Sequence, residues 1–426
     1  MVSSLSTIRP FTPDALEMLQ SSMSILYSDT DAKFRNDVLS HTKHMIERLR
    51  GSIASLQREV DSLSWLPDPK TGTKAPRTQV SEEELNAIRG LKSKHESFLV
   101  WFLDFLIGEL IPTSSYQRHI TALKAIQLLL RTGILGQEPG APAQKTLDSD
   151  TIWPFSINFY NPRTLRVLLD LLLDPFEDVR SAATSILKLA PSSAFSTQSV
   201  EIAPLDPVSS LDVEKKEPTE NQSPATILLE NSVTAEVMHM DILAGFVKRA
   251  NEVSKRTGRA DYADGVAHSY ELLYSLLPSN EAQLALFGSL LDDLEAKVKL
   301  AESDLGTAVL EAPVHSTFAS LKYVASSKHI FIELIINSSF IWDSIDHTSA
   351  TISESTHESW NTFQLRAFQS CFRIWNAVKD VLCNDSPEGH LPQDLDDVES
   401  LDTKDILSYS FRAIHESRFV SHCVGI

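Results

Sequence analysis

The side chains in this sequence best placed to do chemistry are cations. Lys248, Arg249, Lys255, Arg256 and Arg259 crowd into one short stretch, with only Glu252 opposing them. The chain as a whole is acidic, with 57 Asp and Glu against 38 Lys and Arg and a formal charge of −19. As a whole it repels polyanions, so any contact with phosphates must use a local patch. A helix running on from Val233 would carry an apolar stripe of Val233, Val237, Met240, Ala244 and Val247. Lys248, Lys255 and Arg259 would then form a strip beside it, positioned to meet phosphates. The competing reading ends the helix before Gly258, where Lys255 and Arg256 only complement its dipole. A second group, Lys43, Arg48, Arg50 and Arg58, is diluted by Glu47 and Glu59 and reads as an ordinary charged helix face.

No residue set invites bond-making. His41 and His44 stand three apart with no third ligand at helical spacing, and His415, His422 and Cys423 are spaced loosely, so neither group is expected to hold a metal. Asp292-Asp293 and Asp396-Asp397 are adjacent, and neighbours on a helix point to different sides, which reads as solvation rather than a catalytic pair. A glycine-lysine phosphate loop, a Gly-x-Gly-x-x-Gly fingerprint and a Gly-x-Ser-x-Gly elbow are all missing from the sequence. Neither catalytic, cofactor-binding nor metal-binding residues are therefore expected, and no cofactor. Trp101, Phe102, Phe105, Phe372 and Trp375 fall in apolar helical stripes and are expected in the core.

The elements that carry these residues read as helices throughout. Apolar residues recur three and four apart over 32–63, 82–111, 262–277, 282–300 and 360–382, and no convincing strand pair is found. Residues 164–190 spell a hairpin: Leu165, Leu168, Leu169 and Leu172 end at Asp174-Pro175, and a second helix begins near Asp178-Val179-Arg180. Proline suits the turn, Asp178 supports the new helix's first turn, and Ala182 and Ala183 permit close approach. A weaker echo follows Ile111-Pro112, through Ser115, Arg118, Ala122, Ile126 and Leu129. The expected class is all-α, an armadillo/HEAT-like α-solenoid of stacked antiparallel helix pairs with disordered polar insertions. The expected segments are an N-terminal helical segment over 1–65, repeats over 82–190, a disordered linker over 191–224, repeats over 225–383, an acidic linker over 384–404, and the start of a further unit over 405–426. Polar stretches at 66–81 and 137–150 read as insertions.

Composition adds the compartment. Cys371, Cys383 and Cys423 are too few and too uneven for a disulfide framework, which fits a reducing environment. Residues 1–10 lack the apolar core of a signal peptide, and the apolar run 98–111, broken by Asp104, Gly108 and Glu109, falls short of the roughly 20 residues that cross a bilayer. A cytoplasmic protein without a membrane partner is expected.

Four phrases, taken in order, resemble one family. They are Ile111-Pro-Thr-Ser-Ser-Tyr-Gln-Arg-His-Ile-Thr-Ala-Leu-Lys-Ala-Ile126, Leu173-Asp-Pro-Phe-Glu-Asp-Val-Arg180, the stretch Arg256 to Gly265, and Asp405 to Glu416. The chain is similar to the thyroid adenoma-associated protein family, whose fungal members are the non-catalytic partner of a tRNA ribose 2′-O-methyltransferase. Tyr116, Gln117 and Arg118 are the most specific positions, and with Asp178 and Arg180 they look structural. The resemblance implies a scaffold that binds the tRNA 2′-O-methyltransferase catalytic subunit and helps present the tRNA anticodon stem-loop. The other reading is a HEAT-repeat protein–protein adaptor without an RNA role. Family members are far longer, and their Arg-Arg-Ser-Ala-Gly-Leu-Pro-like segment is not found here. The pattern dissolves after Glu416, so a truncated product with an uncovered apolar face near its end is expected.

Overall fold

A computed structural model describes residues 9–64, 82–135, 153–196, 240–326, 354–383 and 403–423. Among them are thirteen α-helices and no strand: α1 (Pro13–Tyr27), α2 (Ala32–Ser64), α3 (Glu82–Glu109), α4 (Tyr116–Leu130), α5 (Pro162–Asp170), α6 (Glu177–Leu187), α7 (Asp241–Thr257), α8 (Ala260–Leu276), α9 (Asn280–Ser303), α10 (Leu305–Glu311), α11 (His315–Ser326), α12 (Glu354–Cys383) and α13 (Thr403–Cys423). The all-α class follows. The insertions expected at 66–81 and 137–150, most of the linkers at 191–224 and 384–404, and residues 225–239 and 327–353 lie outside the described residues.

Local chemistry explains where the helices begin. Thr12 caps α1 through Ala15 N–H with Pro13 in the first turn, and Asn161 caps α5 through Thr164 N–H at 3.0 Å with Pro162 likewise placed. Ser279 and Asp304 cap α9 and α10 in the same way. In the turn before α6, the Asp174 carboxylate accepts the Phe176 N–H at 2.9 Å, while Glu177 and Asp178 place acid in the first turn, where the helix dipole favours it.

The chain divides into two compact units, 1–171 with 181–187, and 172–180 with 188–426. In the first, α1 to α4 pack around Tyr27, Phe98, Phe102, Leu49, Ile53, Leu123 and Ile126, all nearly or wholly shielded. The Tyr27 hydroxyl is satisfied by Thr42 Oγ1 at 2.8 Å. Arg48 and Arg50 belong to this packing rather than to a solvated face. Arg48 donates to the carbonyls of Arg9 and Pro10 and lies 3.9 Å over the Phe11 ring, while Arg50 is buried and donates to the Thr132 carbonyl.

The second unit carries the register of a repeat. α7 and α8 are joined by two residues and run antiparallel, with Asn251 Nδ2 reaching Tyr270 Oη. Between α9 and α12, Arg366 pairs with Glu295 and Arg373 with Glu302, both across 71 residues. Arg180, in α6, reaches Asp264 in α8 across 84 residues, and Lys188, just past the end of α6, reaches Glu271 across 83. A constant offset means that the two partners advance together, so each pair of helices is parallel. That is how equivalent helices of successive hairpins stack. The first residues of the stretch expected as a linker from 191 are ordered, since Phe195 is fully buried in a short 3₁₀ turn, Ser192–Phe195, against α7.

Candidate functional site

The cationic cluster sits at the end of α7. Lys248 and Arg249 are exposed, and Lys255 and Arg256 occupy the last turn. Gly258 then adopts the left-handed φ of 60° and its N–H closes on the Ser254 carbonyl at 3.0 Å, which stops the helix as a glycine cap does. Arg259 is therefore not on the α7 strip. It precedes α8, grips the Asp261 carboxylate at 3.0 and 2.5 Å, and lies 5.0 Å over the Tyr262 ring. Arg249 and Arg256 form no ion pair with any described residue. Partial desolvation and then the neighbouring Lys297 ammonium push Lys255 below the ordinary lysine range. The upstream part of the expected strip, 233–239, lies outside the described residues.

A second polar cluster forms around Arg180, which the sequence marks only as a motif residue. Its side chain is buried and its guanidinium donates to Asp264 Oδ2, Glu177 Oε2 and the Asp174 carbonyl, each at 2.7 Å. Tyr323 Oη, from α11, donates to Asp264 Oδ1 at 2.8 Å, and its ring centroid lies 4.5 Å from that of His268. His268 is buried with Nε2 at 3.3 Å from Glu177 and Nδ1 at 3.4 Å from Glu271, which Lys188 also pairs with at 2.6 Å. Burial pulls the His268 imidazole down, but hydrogen bonds to Glu177 and Glu271, then the charge of Asp264, outweigh it and carry it up to about 9. The Glu177 carboxyl is held well below the carboxylate range, first by its hydrogen bond to His268.

Glu177, Asp264 and His268 offer ligand atoms within 4.8 Å of one another, a spacing that a metal ion could use. Here the carboxylates already hold a guanidinium, and the imidazole keeps its proton near neutral pH. With its carboxylates already engaged by Arg180, the cluster acts as an ion-paired lock between α6, α8 and α11.

The motif residues of the first unit also act in packing. Arg118 pairs two-pronged with the buried Glu109 at 2.6 and 3.1 Å, and His119 Nε2 meets the Ile111 carbonyl at 2.9 Å, so together they clamp the turn between α3 and α4. The Gln117 carbonyl accepts Thr121 Oγ1 at 2.7 Å, and Tyr116, half-buried, opens α4. Asp178 is exposed in the first turn of α6. Asp292 and Asp293 do diverge: Asp292 is exposed and takes Arg366, while Asp293 is buried rather than solvated and accepts Lys297 Nζ at 2.6 Å and Thr317 Oγ1 at 2.9 Å. His41 and His44 are exposed, with His44 Nδ1 3.5 Å from Glu47, while the His422 and Cys423 side chains lie outside the described residues.

Phe102 is core as expected, but Phe372 and Trp375 are not, being 60% and 44% exposed. α12 carries two apolar stripes. Ala367, Cys371, Ile374, Val378 and Val381 are buried, while Leu365, Phe368, Phe372, Trp375 and Leu382 face outward. Periodicity finds both and cannot say which one is covered.

Paired helices in repeating register, with polar clusters spent on holding neighbours together, define an α-solenoid of the helical-repeat class. Two family models then match the chain: Trm732, TPR repeats, over residues 1–181, and THADA/TRM732, DUF2428, over 362–424. Over these two stretches the chain is similar to the THADA/TRM732 family. It is also similar to the tRNA (32-2′-O)-methyltransferase regulator trm732 of Schizosaccharomyces pombe, with 22% identity over 416 residues. That alignment covers 96% of this chain and 22% of the relative, so the chain spans about a fifth of the relative's length. The relative is named as a regulator of a methyltransferase. No solved structure matches. No helix among the described residues is long and apolar enough to cross a membrane.

Proposed function

We propose that this chain is a non-catalytic scaffold segment that binds the catalytic subunit of a tRNA 2′-O-ribose methyltransferase in the cytoplasm and helps position the tRNA anticodon stem-loop for methylation. The observation that carries this reading is an alignment over 96% of the chain to a protein named as such an enzyme's regulator. The exposed end of α7 supports it with a surface of the right charge: Lys248, Arg249, Lys255 and Arg256 stand out in a chain of −19. Cations concentrated on one face recruit phosphates at close range even when the whole molecule is acidic.

The test is co-purification followed by charge reversal. The chain should retain both the methyltransferase and tRNA on a column, and Lys248→Glu, Lys255→Glu and Arg256→Glu together should weaken tRNA binding and flatten its salt dependence. Retention of neither partner would refute the scaffold reading, and unchanged tRNA binding in the triple variant would remove α7 from it. A second reading, a protein adaptor without an RNA role, is favoured by the outward stripe of α12, since exposed apolar rows suit protein partners. It requires protein partners without RNA and binding that ignores salt.

A further inference from the structure

We propose that the cleft between α2 and α4 is a second phosphate-binding site, and that it takes the backbone of an RNA strand. The inference rests on the scaffold reading and extends it to a surface that no single stretch of sequence displays. The cleft has a volume of about 280 Å³. α2 contributes Lys43 and Ser40, while α4 and the residue that ends it contribute Lys124, Gln127 and Arg131.

Three features distinguish this cleft from scattered surface charge. First, three cations and no carboxylate line it, in a chain where acids outnumber bases 57 to 38. Lys124 and Arg131 are exposed and form no ion pair with any described residue, and Lys43 has only Glu47 at a long 3.9 Å. Like charges facing one cleft repel one another, and a bound anion relieves that repulsion.

Second, the cations have a repeat of their own. Lys124, Gln127 and Arg131 fall at i, i+3 and i+7, on one face of α4, so the two cations are separated by about 10 Å of helix rise. Each strand of a nucleic-acid duplex carries a charge every roughly 3.4 Å of axis, so that span reaches several phosphates of a strand rather than one small anion. Third, the wall between the cations is set. Gln127 Nε2 donates to Ser185 Oγ at 2.6 Å and to the Ala182 carbonyl at 3.4 Å, which fixes the polar side chain lying between the two. Leu39 and Leu128 complete the floor, an apolar surface along which the aliphatic stems of Lys43 and Lys124 can lie while their ammonium groups stay in water.

The experiment uses the full chain and a synthetic anticodon stem-loop RNA, followed by fluorescence anisotropy over a salt series. A triple Lys43→Ala, Lys124→Ala, Arg131→Ala variant should lose about tenfold or more in affinity at low salt, and its salt slope should shrink by roughly 0.7 for each phosphate contact removed. Lys43→Arg with Lys124→Arg, which keeps the charge, should retain binding. Reversing Arg166, 85% exposed on α5 and away from the cleft lining, adds negative charge of comparable size elsewhere and should leave affinity unchanged.

All of these side chains lie at the surface, so circular dichroism should report unaltered folding. Wild-type affinity and slope in the triple-alanine variant, alongside loss of binding in the α7 variants, would overturn the cleft and leave the scaffold reading standing. Equal loss on reversing Arg166 would also overturn it, by making the effect one of bulk charge. Failure of the wild-type chain to bind RNA at any salt would overturn both readings.

Discussion

At Gly265 the packing of α8 leaves room for a hydrogen and nothing larger. A Cβ there would lie 2.3 Å from the Leu172 carbonyl oxygen and 2.8 Å from Leu173 Cδ2. The carbonyl is backbone and cannot swing aside, so Gly265→Ala should destabilise the fold by about 1–3 kcal/mol, read as a lower urea midpoint at unchanged m-value. Beside it on α8, Asp264 holds Arg180 of α6; Arg180→Ala would strand Asp264 and Glu177 beside His268, and because both carboxylates keep some contact with water the cost should fall below the about 3–5 kcal/mol of a fully buried pair. Arg180→Lys should recover only part of that, because an ammonium cannot span three acceptors as a planar guanidinium does. A melting curve for Arg180→Ala that overlays the wild type would refute the lock. The sequence marked Asp178-Val179-Arg180 as the start of a helix, and that much was legible, because capping and turn chemistry are local. The other members of the lock, Asp264 and Tyr323, were not, since nothing along a chain records that Arg180 meets Asp264 across 84 positions or that Tyr323 meets Asp264 across 59.

Helix faces show the same divide between local and distant information. The end of α7 could be read from Gly258, because only a residue tolerant of left-handed backbone stops a helix there without strain. The fate of Arg259 could not, since Asp261 competes with any strip for its guanidinium. Likewise Lys43 read as one member of an α2 charged face, whereas its neighbours in the cleft come from α4. On α12 the spacing found apolar rows, but α9 and α13 decide which of them is covered. This gives a sharp contrast between near neighbours. Ile374, fully buried, should cost about 2–5 kcal/mol when cut to alanine. Phe372→Ser, two residues earlier, should move stability by less than about 0.5 kcal/mol, as surface changes do. Because it removes exposed apolar area, it should also raise the concentration at which light scattering still reports a single species. A large loss of stability in Phe372→Ser would mean that its ring is covered.

For the molecule as a whole, buried histidines pull in opposite directions as pH changes, His268 one way and His315 and His95 the other. His268 is faced by Glu177 and Arg180 from α6, Asp264 and Glu271 from α8, and Tyr323 from α11, and stands near 9 instead of the ordinary imidazole value of 6.5. A folded value above the unfolded one means that the folded state holds the proton more tightly. Its contribution is complete below 6.5, declines as pH rises, and is gone above about 9. His315, at the start of α11, is pulled down to about 4 by burial and then by the Arg412 and Lys297 charges. There the unfolded chain binds the proton better, so stability is complete above 6.5 and is lost as pH falls through about 4. The two slopes have opposite sign and meet at the ordinary histidine value, so unfolding free energy should peak near pH 6.5. Each limb should amount to a few kcal/mol, because a tenfold difference in proton affinity between folded and unfolded chain is worth about 1.4 kcal/mol. Urea titrations from pH 4 to 9 measure this directly. His268→Gln should flatten the alkaline limb, while His315→Gln should shrink the acid limb, to which the lowered, buried His95 also contributes. An alkaline limb that persists without His268 would show that the proton is held elsewhere, and the lock around Arg180 would then have to be redrawn.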